Sequence, residues 1–239
     1  MKERVFDVAL KHPIWVLLAS IILVIAAASG AKNLVFKSDY RVFFSNENPQ
    51  LTSFESMQKI YSKSDNVASI IAPKEGSVFT PKRLKAIHEL TLQSWQVPYS
   101  TRVDSITNFQ HTVAEEDDLI VEDMVLDPEA LTKDQMPALQ EIVINDPLMR
   151  NKIISPDGRV TVVNVTVHLP GINPVVEVPE VVSKIRDMEQ IFLTSNPDMD
   201  IYLSGMVIMN NSFAEASQND GKQLIPLMFG MVILTMIFL

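Results

Sequence analysis

Residues 152–169 read KIISPDGRVTVVNVTVHL, and this run decides the fold. Val163, Val165, Val167 and Leu169 alternate with Asn164, Thr166 and His168. That period of two marks a strand with one buried face. Val160 and Val162 fall in the opposite phase, so a bulge or burial on both faces is expected near Val163. The preceding Ser155-Pro156-Asp157-Gly158 is a turn in which Pro presets φ and Gly takes the positive-φ place. Pro170-Gly171 closes the strand.

Downstream, Val178, Val181, Val182, Ile185, Met188 and Phe192 follow the i, i+3, i+4, i+7 spacing of an amphipathic helix that ends near Asn196-Pro197. Asp200–Ser204 (DIYLS) is a last short strand, followed by Gly205. Upstream, Asn66–Ala72 (NVASIIA) reads as a buried strand stopped by Pro73. Thr80-Pro81 opens a helix with Pro at its first position, with Leu84, Ile87 and Trp95 on its core face and Leu90 at the edge. Arg102–Phe109 alternates weakly as a further strand.

Between these halves the rhythm breaks. Gln110–Arg150 carries eleven Asp or Glu against Lys133 and Arg150. Thr132 and Gln135 fit a capping box, followed by Met136, Leu139 and Val143 on one helical face. Residues 110–151 are therefore expected to be an acidic insertion made of a loop and one helix. The resulting order is βαββαβ with an insertion in its middle. This gives an α+β fold of ferredoxin-like order, in which two helices cover one face of a single sheet.

Two apolar runs flank this domain. Ile14–Ala31 (IWVLLASIILVIAAASGA) is eighteen residues without charge. About 20 apolar residues cross the ~30 Å hydrocarbon core, so the run is just long enough. Leu224–Leu239 (LIPLMFGMVILTMIFL) ends with the sequence given. The expected layout is a tail over residues 1–13, a transmembrane helix over 14–31, a domain over 32–222 and the start of a second, truncated span over 223–239. The chain is expected to be the N-terminal piece of a longer membrane protein. A cleaved signal peptide is the competing reading: Lys2, Arg4 and Lys11 give a positive start and Ala26–Ala31 gives small residues. Against it, the apolar run exceeds the ~7–15 residues of a signal core. The basic residues before the span are balanced by Lys32, Lys37 and Arg41 after it, so charge alone leaves the orientation open. After the first run, Leu51, Phe54, Met57 and Tyr61 are spaced for an amphipathic helix that Thr52 or Ser53 caps.

The net charge of −9 argues against nucleic acid and against anionic lipid heads as partners. The sequence contains no Cys, which excludes a disulfide framework, a thiolate metal site and a thiol nucleophile.

A span, a βαββαβ domain and a second span resemble the first part of RND-superfamily exporters, most of all the MMPL-like, "predicted exporter" branch. The likeness is carried by Asp39, Phe43, Phe44, Pro49 and Phe54 after the span, by the strand Asn66–Ile71, and by Val103–Ile106 (VDSI). Ser155–Gly158 with the valine strand, and Leu203-Ser204-Gly205, complete it. These motifs are diffuse and cover essentially the whole chain. The resemblance implies a cytoplasmic N-terminus, a bacterial inner-membrane location and a periplasmic porter domain that handles hydrophobic or amphipathic molecules. The implied partners are the lipid bilayer, the remaining spans, a second porter domain and the substrate, with oligomerisation open. The resemblance also implies proton-coupling acids in later spans; neither apolar run here carries an ionisable residue. A two-span sensor with a periplasmic ligand domain shares the same layout and is the alternative.

No residue is assigned a catalytic, cofactor-binding or metal-binding role, and no enzymatic turnover is expected. His12, His88, His111 and His168 are scattered without HExxH or paired spacing, and no P-loop, GxSxG or GxGxxG occurs. His88 reads as a helix-surface residue and His168 as the outward partner of its strand. Glu115–Asp118 lacks the spacing of a calcium loop and reads as solvated. Met188, Met206 and Met209 read as core filling, with an adaptable apolar path as the alternative.

Overall fold

The computed structural model describes residues 11–30, 40–45, 47–61, 65–115 and 118–238. The chain divides into two units, residues 1–37 and 38–239. Lys2 and Arg4, the flanking Lys32 and Lys37, Asp39, and Glu116-Asp117 of the acidic loop lie outside the described residues.

In the first unit, helix α1 spans Pro13–Ala28, 16 residues, about 24 Å at 1.5 Å per residue. Every side chain from Lys11 to Ala26 is exposed. Among the described residues no helix is long and apolar enough to cross a membrane.

The second unit is mixed α+β. Helix α2 (Pro49–Tyr61) leads to strand β1 (Asp65–Pro73), helix α3 (Pro81–Ser94) and strand β2 (Ser100–Asp104). Strands β3 (Gln110–Glu115) and β4 (Asp118–Asp123) and helix α4 (Met136–Asn145) follow. Strand β5 (Thr161–Val167), helix α5 (Pro174–Ser195), strand β6 (Met199–Ser204) and helix α6 (Met206–Phe238) complete it. The main sheet has four strands in the order β2-β5-β1-β6. All three pairings are antiparallel.

The valine run forms β5 at the centre of this sheet. Thr161, Val163, Val165 and Val167 are buried in strict alternation. Its register with β1 is continuous from Thr161–Ile71 to Val167–Asp65, so the opposite-phase Val162 simply lies on the other face and β5 has no bulge. The irregularity sits instead in β2, where the register shifts between Ser100 and Arg102. Val67 and Ile71 from β1, and Met199 and Ile201 from β6, complete the inner face. Helices α3 and α5 supply its cover, and all six apolar residues expected on α5 are buried.

Four local expectations are corrected. Leu90 is in the core at 3% exposure and Trp95 is 47% exposed. The helix ends at Ser94, so Trp95 is a cap residue and no longer follows the buried stripe. The expected strand over 102–109 stops at Asp104, because Asn108 folds back, accepting from the Ser105 N–H (2.8 Å) and donating to the Val103 carbonyl (2.7 Å). The acidic insertion holds a β3–β4 hairpin as well as a helix. Its root is tied to the body by the Met124 and Val125 N–H groups, which donate to the Phe109 and Thr107 carbonyls. Finally, α2 is capped by Asn48, whose Oδ1 accepts from the Gln50 and Leu51 N–H groups, and not by Thr52 or Ser53. Pro49 at the first helical position fixes that start one turn earlier.

Thr80 caps α3 as expected, accepting from the Arg83 N–H at 3.3 Å. Arg83 and Lys82 on that helix reach Asp198 ahead of β6, at 3.3 and 3.0 Å. The Lys82 ammonium, then Arg83, holds the Asp198 carboxyl below its usual range. A depressed carboxyl stabilises the fold above its unfolded pKa, and that contribution fades as pH falls through the lower folded value. The melting-temperature difference between wild type and Asp198→Asn is therefore expected to be full at neutral pH and to shrink as pH drops below about 4. A difference independent of pH would count against these ion pairs.

Candidate functional site

The one-turn 3-10 helix Tyr40–Phe43 is closed by the Phe44 N–H donating to the Arg41 carbonyl at 3.0 Å. Arg41 also donates to Gln58 Oε1 at 2.8 Å and approaches Glu55 at 3.6 Å, which fastens this turn to α2. The Asn48 cap sets the start of α2 and so projects Leu51 and Phe54 toward Phe44. From the other side comes Met206, the first residue of α6.

Met206 is placed by a two-part joint. Gly205 takes φ +103°, and a Cβ there would lie 2.5 Å from the Asn66 carbonyl oxygen. Such a φ and such an approach suit only glycine. The Asn66 side chain accepts from the Met206 N–H (3.2 Å) and donates to Asn164 Oδ1 (2.7 Å). One asparagine thus links β1, β5 and the root of α6. Farther along, Arg186 on α5 makes a two-pronged pair with Glu215 on α6 at 2.7 and 2.9 Å. The guanidinium holds the Glu215 carboxyl below its usual range. Phe43 and Phe213 meet edge to face with centroids 5.7 Å apart.

Between these elements lies a cavity of about 320 Å³, lined by Phe44, Asn48, Gln50, Leu51, Phe54 and Met206. Its size falls at the lower end of ligand pockets, roughly 300–1,000 Å³. Four liners are apolar and two are neutral amides. None of these six is titratable, so the lining offers apolar contact and hydrogen bonds, with no acid–base group.

Of the residues that carry the resemblance, Phe44 and Phe54 line this cavity, Pro49 opens the helix beside it, and Gly205 sets its far wall. Val103 and Ile106 lie in the core. The three methionines separate: Met188 is core, Met209 is 41% exposed and Met206 lines the cavity. His168 is exposed, as expected of an outward strand residue. His88 is half-buried, and its Nδ1 is enclosed without a hydrogen-bond partner among the described residues. Among the described residues no group of three His, Cys, Asp or Glu could hold a metal ion.

A second polar centre was not foreseen. Glu177 is 5% exposed. Its carboxylate accepts the N–H groups of Gly171, Ile172 and Asn173 at 2.8, 2.9 and 2.8 Å. With Pro170 and Pro174 lacking donors, it collects every backbone N–H from residue 170 to 174. An acid in the first turn of α5, after a Pro-Gly loop, was the available signal. Nearby, Tyr99 at φ 63° donates its hydroxyl to Glu180 at 3.0 Å, and that bond pushes the phenol up. The Asn48-Pro49 pair was legible in the same way, as a cap followed by Pro at the first position.

No protein-family model matches the chain. No curated protein matches it either.

Proposed function

We propose that this chain is the N-terminal part of a proton-driven exporter of the RND/MMPL-like kind, with residues 32–222 forming a ferredoxin-like porter domain. The observation that supports this reading is the antiparallel order β2-β5-β1-β6, with α3 between β1 and β2 and α5 between β5 and β6, joined directly to a helix that ends in an apolar run. The cavity beside Met206 is the place where the domain takes hold of an apolar molecule. Helix α1 and the last part of α6 sit in the bilayer of the bacterial inner membrane. In support, the side chains from Ile14 to Ala26 and from Leu224 to Met236 are exposed all round, and nearly all are apolar. A helix with no polar face is at home in hydrocarbon, and local thinning of the bilayer accommodates a short one.

The continuous α6 also favours a second reading, a two-span sensor in which that helix transmits ligand binding. The reading frame of the gene separates the two. The exporter reading expects about ten further apolar spans downstream, with an Asp or Glu in the fourth; a cytoplasmic kinase or signalling helix there overturns it. The cavity is tested separately. Leu51→Trp fills it and is expected to lower export of an apolar dye such as Nile red from cells carrying the full-length protein at least fivefold, with expression unchanged. Undiminished export removes the cavity from the reading.

A further inference from the structure

The polar corner of the cavity beside Met206 has a fixed polarity, because both oxygens of Asn48 are already used. The side-chain Oδ1 accepts from the Gln50 and Leu51 N–H groups at 2.9 and 3.2 Å. The backbone carbonyl accepts from the Thr52 N–H at 3.0 Å and the Thr52 hydroxyl at 2.9 Å. The backbone N–H donates to the Ser45 carbonyl at 2.9 Å. These bonds decide which end of the side-chain amide is the oxygen. The amide nitrogen makes no hydrogen bond to any described residue. It carries two N–H donors, so Asn48 offers the cavity donation alone.

The surroundings select against charge of either sign. No lining residue is titratable. Arg41, the cation of the neighbouring turn, faces Glu55 at 3.6 Å and donates to Gln58. Glu47 stands exposed one residue before the cap. A carboxylate in the cavity thus finds donors without a cation, next to an acid. An ammonium finds a single acceptor among the lining side chains, the Gln50 Oε1, on an exposed residue. Taking a charge out of water without a partner costs far more than taking out a hydrogen-bonded neutral group. Size sets the third limit. At roughly 30 Å³ per water-sized group, a volume of about 320 Å³ holds about ten heavy atoms. That is one chain, and two chains side by side do not fit. Phe44 and Phe54 are exposed, so a longer chain continues outward between them.

We propose that this cavity selects uncharged single-chain molecules that carry one hydrogen-bond-accepting oxygen, such as a fatty alcohol or ester. The oxygen takes the Asn48 amide N–H, and the chain lies among Leu51, Phe54 and Met206. The inference rests on the reading of this cavity as the ligand site of the domain, and names the class that it takes. The asparagine that starts α2 is then also the residue that reads the ligand.

The test uses the full chain in phosphatidylcholine nanodiscs, with ¹³C-methyl methionine, at pH 7.5. It is titrated with octan-1-ol, octanoate and octylammonium, which share a chain and differ in charge, at equal free concentration in the water. The Met206 methyl signal is assigned by its loss in Met206→Leu, and the core residue Met188 is the internal control. Octan-1-ol is expected to shift Met206 saturably and leave Met188 in place. Octanoate and octylammonium are expected to bind at least tenfold more weakly. Asn48→Asp keeps the cap, since Asp and Asn serve equally well there, but exchanges the donor for a charged acceptor. It is expected to weaken octan-1-ol at least tenfold at an unchanged melting temperature. Either ion binding as tightly as octan-1-ol in the wild-type chain, or no shift of Met206 with any of the three, overturns the proposal. So does a folded Asn48→Asp that binds octan-1-ol as the wild type does. Each of these results leaves the exporter reading standing if Leu51→Trp still lowers dye export. The reverse pattern, undiminished export with the octan-1-ol preference intact, upholds the selectivity and removes the cavity from export.

Discussion

Gly205→Ala is expected to destabilise the domain by about 3–5 kcal/mol. Two penalties combine. An L-residue at φ +103° is strained by itself, and its Cβ would press on the Asn66 carbonyl oxygen at 2.5 Å, the Asn66 carbonyl carbon at 3.0 Å and the Val67 Cα at 3.0 Å. All three are backbone atoms of β1, which pairs with β5 at these two residues and with β6 from Ala68 onward, so none can swing away freely. For a domain of this size the expected fall in melting temperature is roughly 10 °C, followed by circular dichroism. Asn66→Ala removes the side-chain clamp on Met206 and the bond to Asn164, with no backbone clash, and is expected to cost less, about 1–2 kcal/mol. A Gly205→Ala melt within 2 °C of wild type would refute the close approach.

Glu177→Leu is the second large effect, also about 3–5 kcal/mol. The carboxylate is buried and is the acceptor for three successive backbone N–H groups. An apolar replacement leaves those donors without a partner, at about 1–3 kcal/mol for each one that stays buried. Bonds to a charged acceptor are the stronger kind, so Glu177→Gln is expected to fall between wild type and leucine. Hydrogen exchange gives the local readout. The amides of Gly171, Ile172 and Asn173 should be protected together in wild type and exchange at least tenfold faster in the leucine variant. Unchanged protection at those three positions would mean that Glu177 does not organise the loop.

Periodicity told the sheet well. The alternation Val163, Val165, Val167 and the stripe from Val178 to Phe192 each match buried faces residue for residue. Such runs are legible because a single physical demand, burial of one face, repeats along them. The misreadings share a different cause. Trp95 was placed by counting past the end of its helix, where the 3.6-residue period no longer applies. The β3–β4 hairpin was hidden because β4 is acidic and exposed along most of its length, with little burial to impose a pattern. The cavity was only half visible. Phe44 and Phe54 stand out as aromatics near a turn, but they lie 162 and 152 residues before Met206, and the meeting depends on one glycine and one asparagine side chain. Contacts of that kind leave no local periodic trace. Glu177 stands in the sequence like any acid in a first helical turn, because its partners are backbone groups, which every residue carries.

Helix α6 has a mechanical consequence. It runs 33 residues without a break from the Gly205 joint, about 50 Å at 1.5 Å per residue. It is a lever clamped at one end by Asn66 and braced a few turns on by the Arg186–Glu215 fork. A tilt of about 10° at the root would carry the far end roughly 9 Å sideways, by the same rise per residue. Pro226 removes one rung of the helical ladder near the end of the middle third, the natural place for such a lever to flex. On the proposed reading, a molecule that enters the cavity against Met206 would push on the short arm, and the apolar end would move by the amplified distance.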